Sequence, residues 1–199
     1  TQDSSENVKF TLALSNPNIS ENIQLFFAQS EDEYARRNLA KNSKINEKVQ
    51  RILANDSVEE VKENLAENSN LIEEIQLSFA ESGSEWIKYN LASNINIKKA
   101  VQSKLVQDND YWVKIYLYQN SNVDKDIHLA AMNDTDASNY ILSCDNNIVD
   151  NAKLLTLSES DDVYVLRNLA KNPNINEKII MKLSKVEDNR TKINLASNP

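Results

Sequence analysis

The sequence has little of what most recognisable sites are built from. It holds a single glycine, Gly83, in 199 residues. The Gly-rich dinucleotide fingerprint and the P-loop each need several, so neither phosphate cradle is present. One cysteine, Cys144, makes no internal disulfide and no cysteine-rich zinc site. The one histidine, His128, would need other ligands or a nucleophile beside it to do chemistry. No apolar run approaches the roughly 18–20 residues that span a bilayer. Basic residues are outnumbered, 22 against 30 acidic, for a net charge of −8. That balance argues against a general nucleic-acid binder, whose affinity comes largely from Lys and Arg on phosphates.

What is present is a repeat. Asn stands at positions 16, 42, 68, 94, 120, 146, 172 and 198, each step being 26 residues. Three residues after each Asn comes an aliphatic: Ile19, Ile45, Leu71, Ile97, Val123, Val149 and Ile175. Three residues before it stands a leucine, as in Leu39, Leu65, Leu91, Leu117, Leu169 and Leu195, with Ala13 and Ser143 as exceptions. A fixed period of this length marks a stacked array of supersecondary units.

Each repeat reads as two short helices. Asp32, Asp110, Asp136, Asp162 and Asp188 recur in register as N-caps of the first helix. Val113 and Leu117 then share one helical face. The Asn of the column ends the helix, and its tolerance of the left-handed conformation explains how a chain with one glycine turns so often. Pro17, Pro173 and Pro199 follow such an Asn directly. The second helix opens with Ser20 or its equivalent and an acidic first turn, as at Glu21, Glu47, Glu73 and Glu177. Its buried stripe is Ile23, Phe27 and Ala28, then Val49, Leu53 and Ala54, then Ile75, Phe79 and Ala80, then Val101, Leu105 and Val106. Helices of about 8–10 residues do not survive alone in water, so stacking must hold them. The sixth repeat, around Asn139 to Lys153, is the weakest. Its apolar positions also fit a shift of one residue, which predicts a local irregularity.

The segments from Arg36 (Arg-Arg-Asn-Leu-Ala-Lys-Asn) and from Leu166 (Leu-Arg-Asn-Leu-Ala-Lys-Asn-Pro-Asn-Ile) resemble the bacterial leucine-rich repeat variant family, which belongs with the HEAT-like helical repeats. The likeness covers essentially the whole chain and is a scaffold signature. It implies a right-handed superhelix of paired helices, one of which can be 3₁₀. The period of 26 is longer than that family's, which favours two α-helices. The cysteine cluster of the iron–sulfur protein associated with this repeat is absent, so no cofactor is implied.

Three further columns carry candidate chemistry. The cations Arg36, Lys62, Lys88, Lys114 and Lys192 stand in register and could bind an acidic peptide or a phosphate backbone. The plainer reading pairs each with the Asp four residues earlier, as in Asp32–Arg36, Asp110–Lys114 and Asp188–Lys192. The aromatics Tyr34, Trp86, Trp112 and Tyr164 form a second column, a residue type favoured at binding hot spots. Their azimuth, about 100° from the core position, favours packing between repeats. Gln24, Gln50, Gln76, Gln102 and His128 form a third, expected to bond side chain to side chain as a ladder.

The expected fold is an all-α, right-handed solenoid of about eight two-helix repeats. It forms one helical-repeat domain over 1–199, a segment of a longer array. The expected function is a non-enzymatic, cytoplasmic scaffold whose concave face binds a protein or peptide with basic patches. Nucleic acid is disfavoured as a partner. The candidate binding residues are Tyr34, Arg36, Lys62, Trp86, Lys88, Trp112 and Lys114. Two alternatives stay open: a HEAT-like DNA-repair glycosylase with a basic groove, and a passive spacer.

Overall fold

The computed structural model describes residues 19–199. Asn16, Pro17 and Ala13 of the repeat columns lie outside the described residues. Among the described residues the chain is all-helical, with fourteen α-helices and no strand. They are α1 (Glu21–Ala28), α2 (Glu33–Lys41), α3 (Glu47–Ala54), α4 (Glu59–Ala66), α5 (Glu73–Ser82), α6 (Glu85–Ser93) and α7 (Lys99–Leu105). The series continues with α8 (Tyr111–Gln119), α9 (Lys125–Ala131), α10 (Thr135–Ser143), α11 (Asn151–Leu157), α12 (Val163–Leu169), α13 (Glu177–Leu183) and α14 (Asn189–Ala196).

The chain divides into two compact units, one ending at Leu129 and the other running from Ala130 to Pro199. In the N-terminal unit the even helices pack in series, α2 on α4, α4 on α6 and α6 on α8. The odd helices do the same, α1 on α3, α3 on α5 and α5 on α7. Leu39, Leu65, Leu91 and Leu117, one per even helix, are wholly buried, as are Val49 and Leu53 on α3. Alanines 40, 66 and 92 are buried beside those leucines. Their small side chains let consecutive helices approach closely. Ile23 departs from the expected stripe and is largely exposed. In the C-terminal unit α10 packs on α12 and α12 on α14, around Leu154, Leu157, Val165, Leu169, Ile179 and Leu183.

The helices end where Asn stands, but not by the left-handed route. Asn42, Asn94 and Asn120 lie at φ −74°, −64° and −80° with ψ 111°, 124° and 109°, which is extended backbone. No non-glycine residue among those described has positive φ. The side chain does the work instead. Each Asn Oδ1 accepts from the N–H two residues on: Lys44 (2.9 Å), Asn70 (3.0 Å), Asn96 (2.9 Å) and Asn122 (3.0 Å). This Asx turn is a local alternative to continuing the helix. The Nδ2 donates backwards across one repeat. Asn94 reaches the carbonyls of Ala66 (2.8 Å) and Asn68 (2.9 Å), and Asn120 those of Ala92 (2.8 Å) and Asn94 (2.9 Å). One residue type thus stops a helix and ties it to the one before.

The Gln column ties the other edge, and it does so to backbone rather than to other amides. Gln50 Nε2 donates to the carbonyls of Ile45 (3.2 Å) and Asn70 (3.0 Å), while its Oε1 accepts from Ile72 N (2.9 Å). Gln24 and Gln76 repeat the pattern. A side-chain ladder would have left loop N–H and C=O groups unpaired below the surface, which costs more than amide-to-amide bonds return. His128, next in the column, instead places Nε2 3.1 Å from the Asn120 carbonyl and packs on Tyr118.

The sixth repeat is irregular, as the sequence suggests. Asp134, not Asp136, caps α10, accepting from Asp136 N (3.1 Å) and Ala137 N (3.0 Å). Asp145 takes the Asx-turn role one residue early, accepting from Asn147 N (2.9 Å). Asn146 is left exposed, and Val149 is 70% exposed while Ile148 packs inward. Asn172 accordingly reaches back to the carbonyls of Asp145 and Ile148 at 3.3 Å each. Asp32, Asp110, Asp162 and Asp188 cap their helices as expected.

Gly83 has a separate reason to be glycine. It and Ser84 alone join α5 to α6. A Cβ there would sit 2.4 Å from the Phe79 carbonyl oxygen and 2.7 Å from Ile87 Cγ2.

Candidate functional site

The even helices carry both candidate columns, and the fold treats the two in opposite ways. Two of the cations, Arg36 and Lys88, tie successive repeats together, and Lys62 is paired within its own helix. Arg36 meets Asp56 twice, Nε to Oδ2 at 2.6 Å and Nη2 to Oδ1 at 3.2 Å, and its Nη1 donates to the Ser30 carbonyl at 2.7 Å. The side chains of this pair are only 12% and 6% exposed. Lys88 pairs with Asp108 at 2.7 Å, and Lys62 with Glu59 at 2.6 Å. Lys114 is half-buried.

This corrects the expected pairing of Arg36 with Asp32 and of Lys192 with Asp188. Asp32 and Asp110 spend an oxygen capping Tyr34 N and Trp112 N, both at 2.9 Å. Asp188 is taken by Arg167 at 2.7 Å and by Thr191. The partner of Arg36 and Lys88 is instead the Asp twenty residues on, in the turn after the next odd helix. Burial alone would raise the Asp56 and Asp108 carboxyls. The bonds from Arg36 and Lys88, with those from Val58 N and Asp110 N, outweigh it and hold both below the usual carboxylate range.

The aromatics are where the expectation of packing between repeats fails. Tyr34 is 65% exposed and Trp86 62%, and Tyr164 is also exposed. Ala35, Val61, Ile87 and Val113 fill the interior position, one residue further on, so the column lies a quarter turn round the helix and points out. Arg37 lies over the Tyr34 ring at 5.3 Å and Arg167 over Tyr164 at 5.1 Å. Trp86 meets Tyr89 edge-on at 5.6 Å, and Tyr89 meets Tyr116 at 5.2 Å. Trp112 is half-buried and stacks on Tyr111. The Tyr89 hydroxyl donates to the Asp110 carboxylate; burial and that carboxylate push it above its ordinary pKa.

Toward the C-terminal ends of α2, α4 and α6 runs a groove of about 520 Å³, lined by residues that include Lys41, Asn64, Glu67, Asn90, Ser93 and Ile95. Ile95 is 61% exposed. Asn64 and Asn90 donate Nδ2 to the carbonyls of Arg37 (3.4 Å) and Glu63 (3.1 Å). Glu60 and Glu63 share one face of α4, and Glu67, its C-cap, follows in the same register. Arg37 is shared between Glu33 (3.1 Å) and Glu60 (2.8 Å). Glu63 lacks an ion pair among the described residues. Its burial, and then the charges of Glu59 and Glu60, push its carboxyl above the ordinary range.

The remaining reactive groups are engaged or ordinary. Cys144 accepts from Asn168 Nδ2 at 3.2 Å, and surrounding protein raises its pKa, which disfavours the thiolate. Among the described residues no cluster of His, Cys, Asp and Glu could hold a metal ion, and no helix is long and apolar enough to cross a membrane.

Sequence reasoning missed two parts of this surface. One is the Asn one turn before each terminator, at Asn38, Asn64, Asn90, Asn168 and Asn194, visible as a further column at the same period. The other is the Asp twenty residues after the cation, which recurs at Asp56 and Asp108. No protein-family model matches the chain, and no curated protein matches it.

Proposed function

We propose that this chain is a non-enzymatic binding scaffold. In this reading the 26-residue repeats stack as a solenoid akin to the leucine-rich repeat variant and HEAT-like families, and the outward face of the even helices receives a protein or peptide. A bacterial, cytoplasmic setting belongs to the same proposal. The observation that carries it is Trp86, exposed over 62% of its surface and one helical turn before Asn90, an amide that lines the groove. A large ring costs hydrophobic free energy in that position, and rings so placed are the usual anchors of protein recognition. The opposite use of the cation column supports the choice. Arg36, Lys62 and Lys88 are spent on carboxylates, and a phosphate backbone would have to displace those carboxylates to use them.

Tryptophan fluorescence with a panel of short peptides and a DNA duplex tests the reading. Saturable binding of at least one peptide class, lost in Trp86→Ala with unchanged circular dichroism, is expected. Salt-sensitive duplex binding, with no peptide bound, would overturn it in favour of a nucleic-acid groove.

A further inference from the structure

We infer that the α4–α6 face is a docking site for an extended, arginine-bearing peptide, with the guanidinium seated between Glu63 and the Trp86–Tyr89 edge. The inference rests on the binding-scaffold reading and names its partner.

Three independent features point to that occupant. The first is charge. Glu60 and Glu63 on α4 and Glu67, its C-cap, stand three and four positions apart, hence on one face. Of the cations on the neighbouring helix α2, Arg37 is divided between Glu33 and Glu60, and Lys41 stands further along the groove, beside Glu67. Glu63 is left half-buried with acidic neighbours on both sides along its helix. A cation from outside would complete it.

The second feature is hydrogen-bonding capacity. Asn64 and Asn90 use their Nδ2 groups within the fold, and no partner of either Oδ1 is recorded among the described residues. Each of these two helices therefore presents one amide oxygen at the groove. Packed helices lie about 8–10 Å apart, and an extended chain rises about 3.3 Å per residue. A peptide crossing this face thus advances about three residues per helix and can offer an N–H to each oxygen in turn. A helical peptide has free N–H groups only in its first turn, too close together to serve both helices.

The third feature is the aromatic wall. Trp86 is exposed and is braced edge-on by Tyr89, itself held by its bond to Asp110. A planar guanidinium stacks on such a ring while donating two parallel bonds to a carboxylate, which a lysine ammonium cannot do. The chemistry therefore favours arginine over lysine.

The test is fluorescence anisotropy with a labelled peptide carrying arginine at about every third position, beside its lysine counterpart and its neutral citrulline counterpart. The arginine peptide is expected to bind best and the citrulline peptide at least about tenfold more weakly, the equivalent of one charge-assisted bond. The double variant Glu60→Gln, Glu63→Gln should lose the same factor toward arginine and close the gap to citrulline. Glu63→Gln relieves like-charge crowding and Glu60→Gln gives up one exposed ion pair with Arg37, so circular dichroism of the double variant checks that its fold is unchanged. Equal binding of arginine and citrulline peptides, or full affinity in the double variant, would overturn the inference. If such binding still vanished in Trp86→Ala, the scaffold reading would stand without it. Failure of the arginine peptide to bind at all would also overturn the inference.

Discussion

The buried amide of Gln76 is the sharpest single place to perturb the stacking. Its side chain is wholly buried. Nε2 donates to the Leu71 carbonyl at 2.9 Å, and Oε1 accepts from Lys98 N at 3.0 Å, at the start of α7. Leucine has nearly the same volume and removes both of these bonds, together with a longer one of 3.4 Å to the Asn96 carbonyl. The two shorter bonds alone leave one carbonyl and one N–H unpaired, at about 1–3 kcal/mol each. The more apolar side chain returns about 1 kcal/mol. The net cost of Gln76→Leu is then about 1–5 kcal/mol, against a native stability typically of about 5–15 kcal/mol. Urea unfolding followed by circular dichroism reads this directly, with the exposed Gln107→Leu as a control for hydrophobicity. A loss below about 0.5 kcal/mol at unchanged slope, the size of an ordinary surface change, would refute the assignment of the Gln column as the tie between successive odd helices and their turns.

Other perturbations discriminate between neighbouring features. Asn94→Ala, which removes bonds to Ala66, Asn68 and Asn96, should cost about 2–3 kcal/mol, whereas Asn146→Ala should be neutral by the same unfolding assay because that residue is exposed. Asp56 and Asp108 have folded pKa values below their unfolded ones. Their contribution is therefore complete above the unfolded value of about 4 and is lost as pH falls through the folded one. Thermal melts of Asp56→Asn should show a lower Tm at neutral pH and a flatter profile in acid than the parent. Glu63 has the opposite sign, its folded pKa lying above the unfolded one. Its charge opposes folding at neutral pH, and the penalty vanishes below the unfolded value. Glu63→Gln should raise stability at neutral pH by about 0.5–1 kcal/mol, from like-charge pairs worth about 0.2–0.5 kcal/mol each, with no gain in strong acid.

The sequence made the helices legible because a period of 26 repeats the same local choices. Each Asp cap, Leu anchor and Asn terminator can be read from its neighbours along the chain. The irregularity near Asn146 was legible for the same reason, since the apolar positions slip while the count does not. What escaped reading depends on neighbours across repeats. The i,i+4 rule proposes Asp32 for Arg36, but only the packing of helices brings Asp56 closer. A helical wheel gives the azimuth of Trp86 but not what lies beyond it, so an exposed ring looked like a packed one. The terminating Asn was credited with an unusual backbone, when its side chain had a carbonyl one repeat away to bind.

The central claim is that the outward face of α4 and α6 is where a partner sits. The measurement that tests it most directly is amide and indole chemical-shift mapping by NMR on the isotopically labelled chain, titrated with its best-binding peptide. The account predicts that the Trp86 indole and the side-chain amides of Asn64 and Asn90 move together and saturate at one Kd, while the odd helices α3 and α5 stay still. Shifts confined to the odd helices, or to the exposed Met181 region of α13, with Trp86 unmoved, would contradict it.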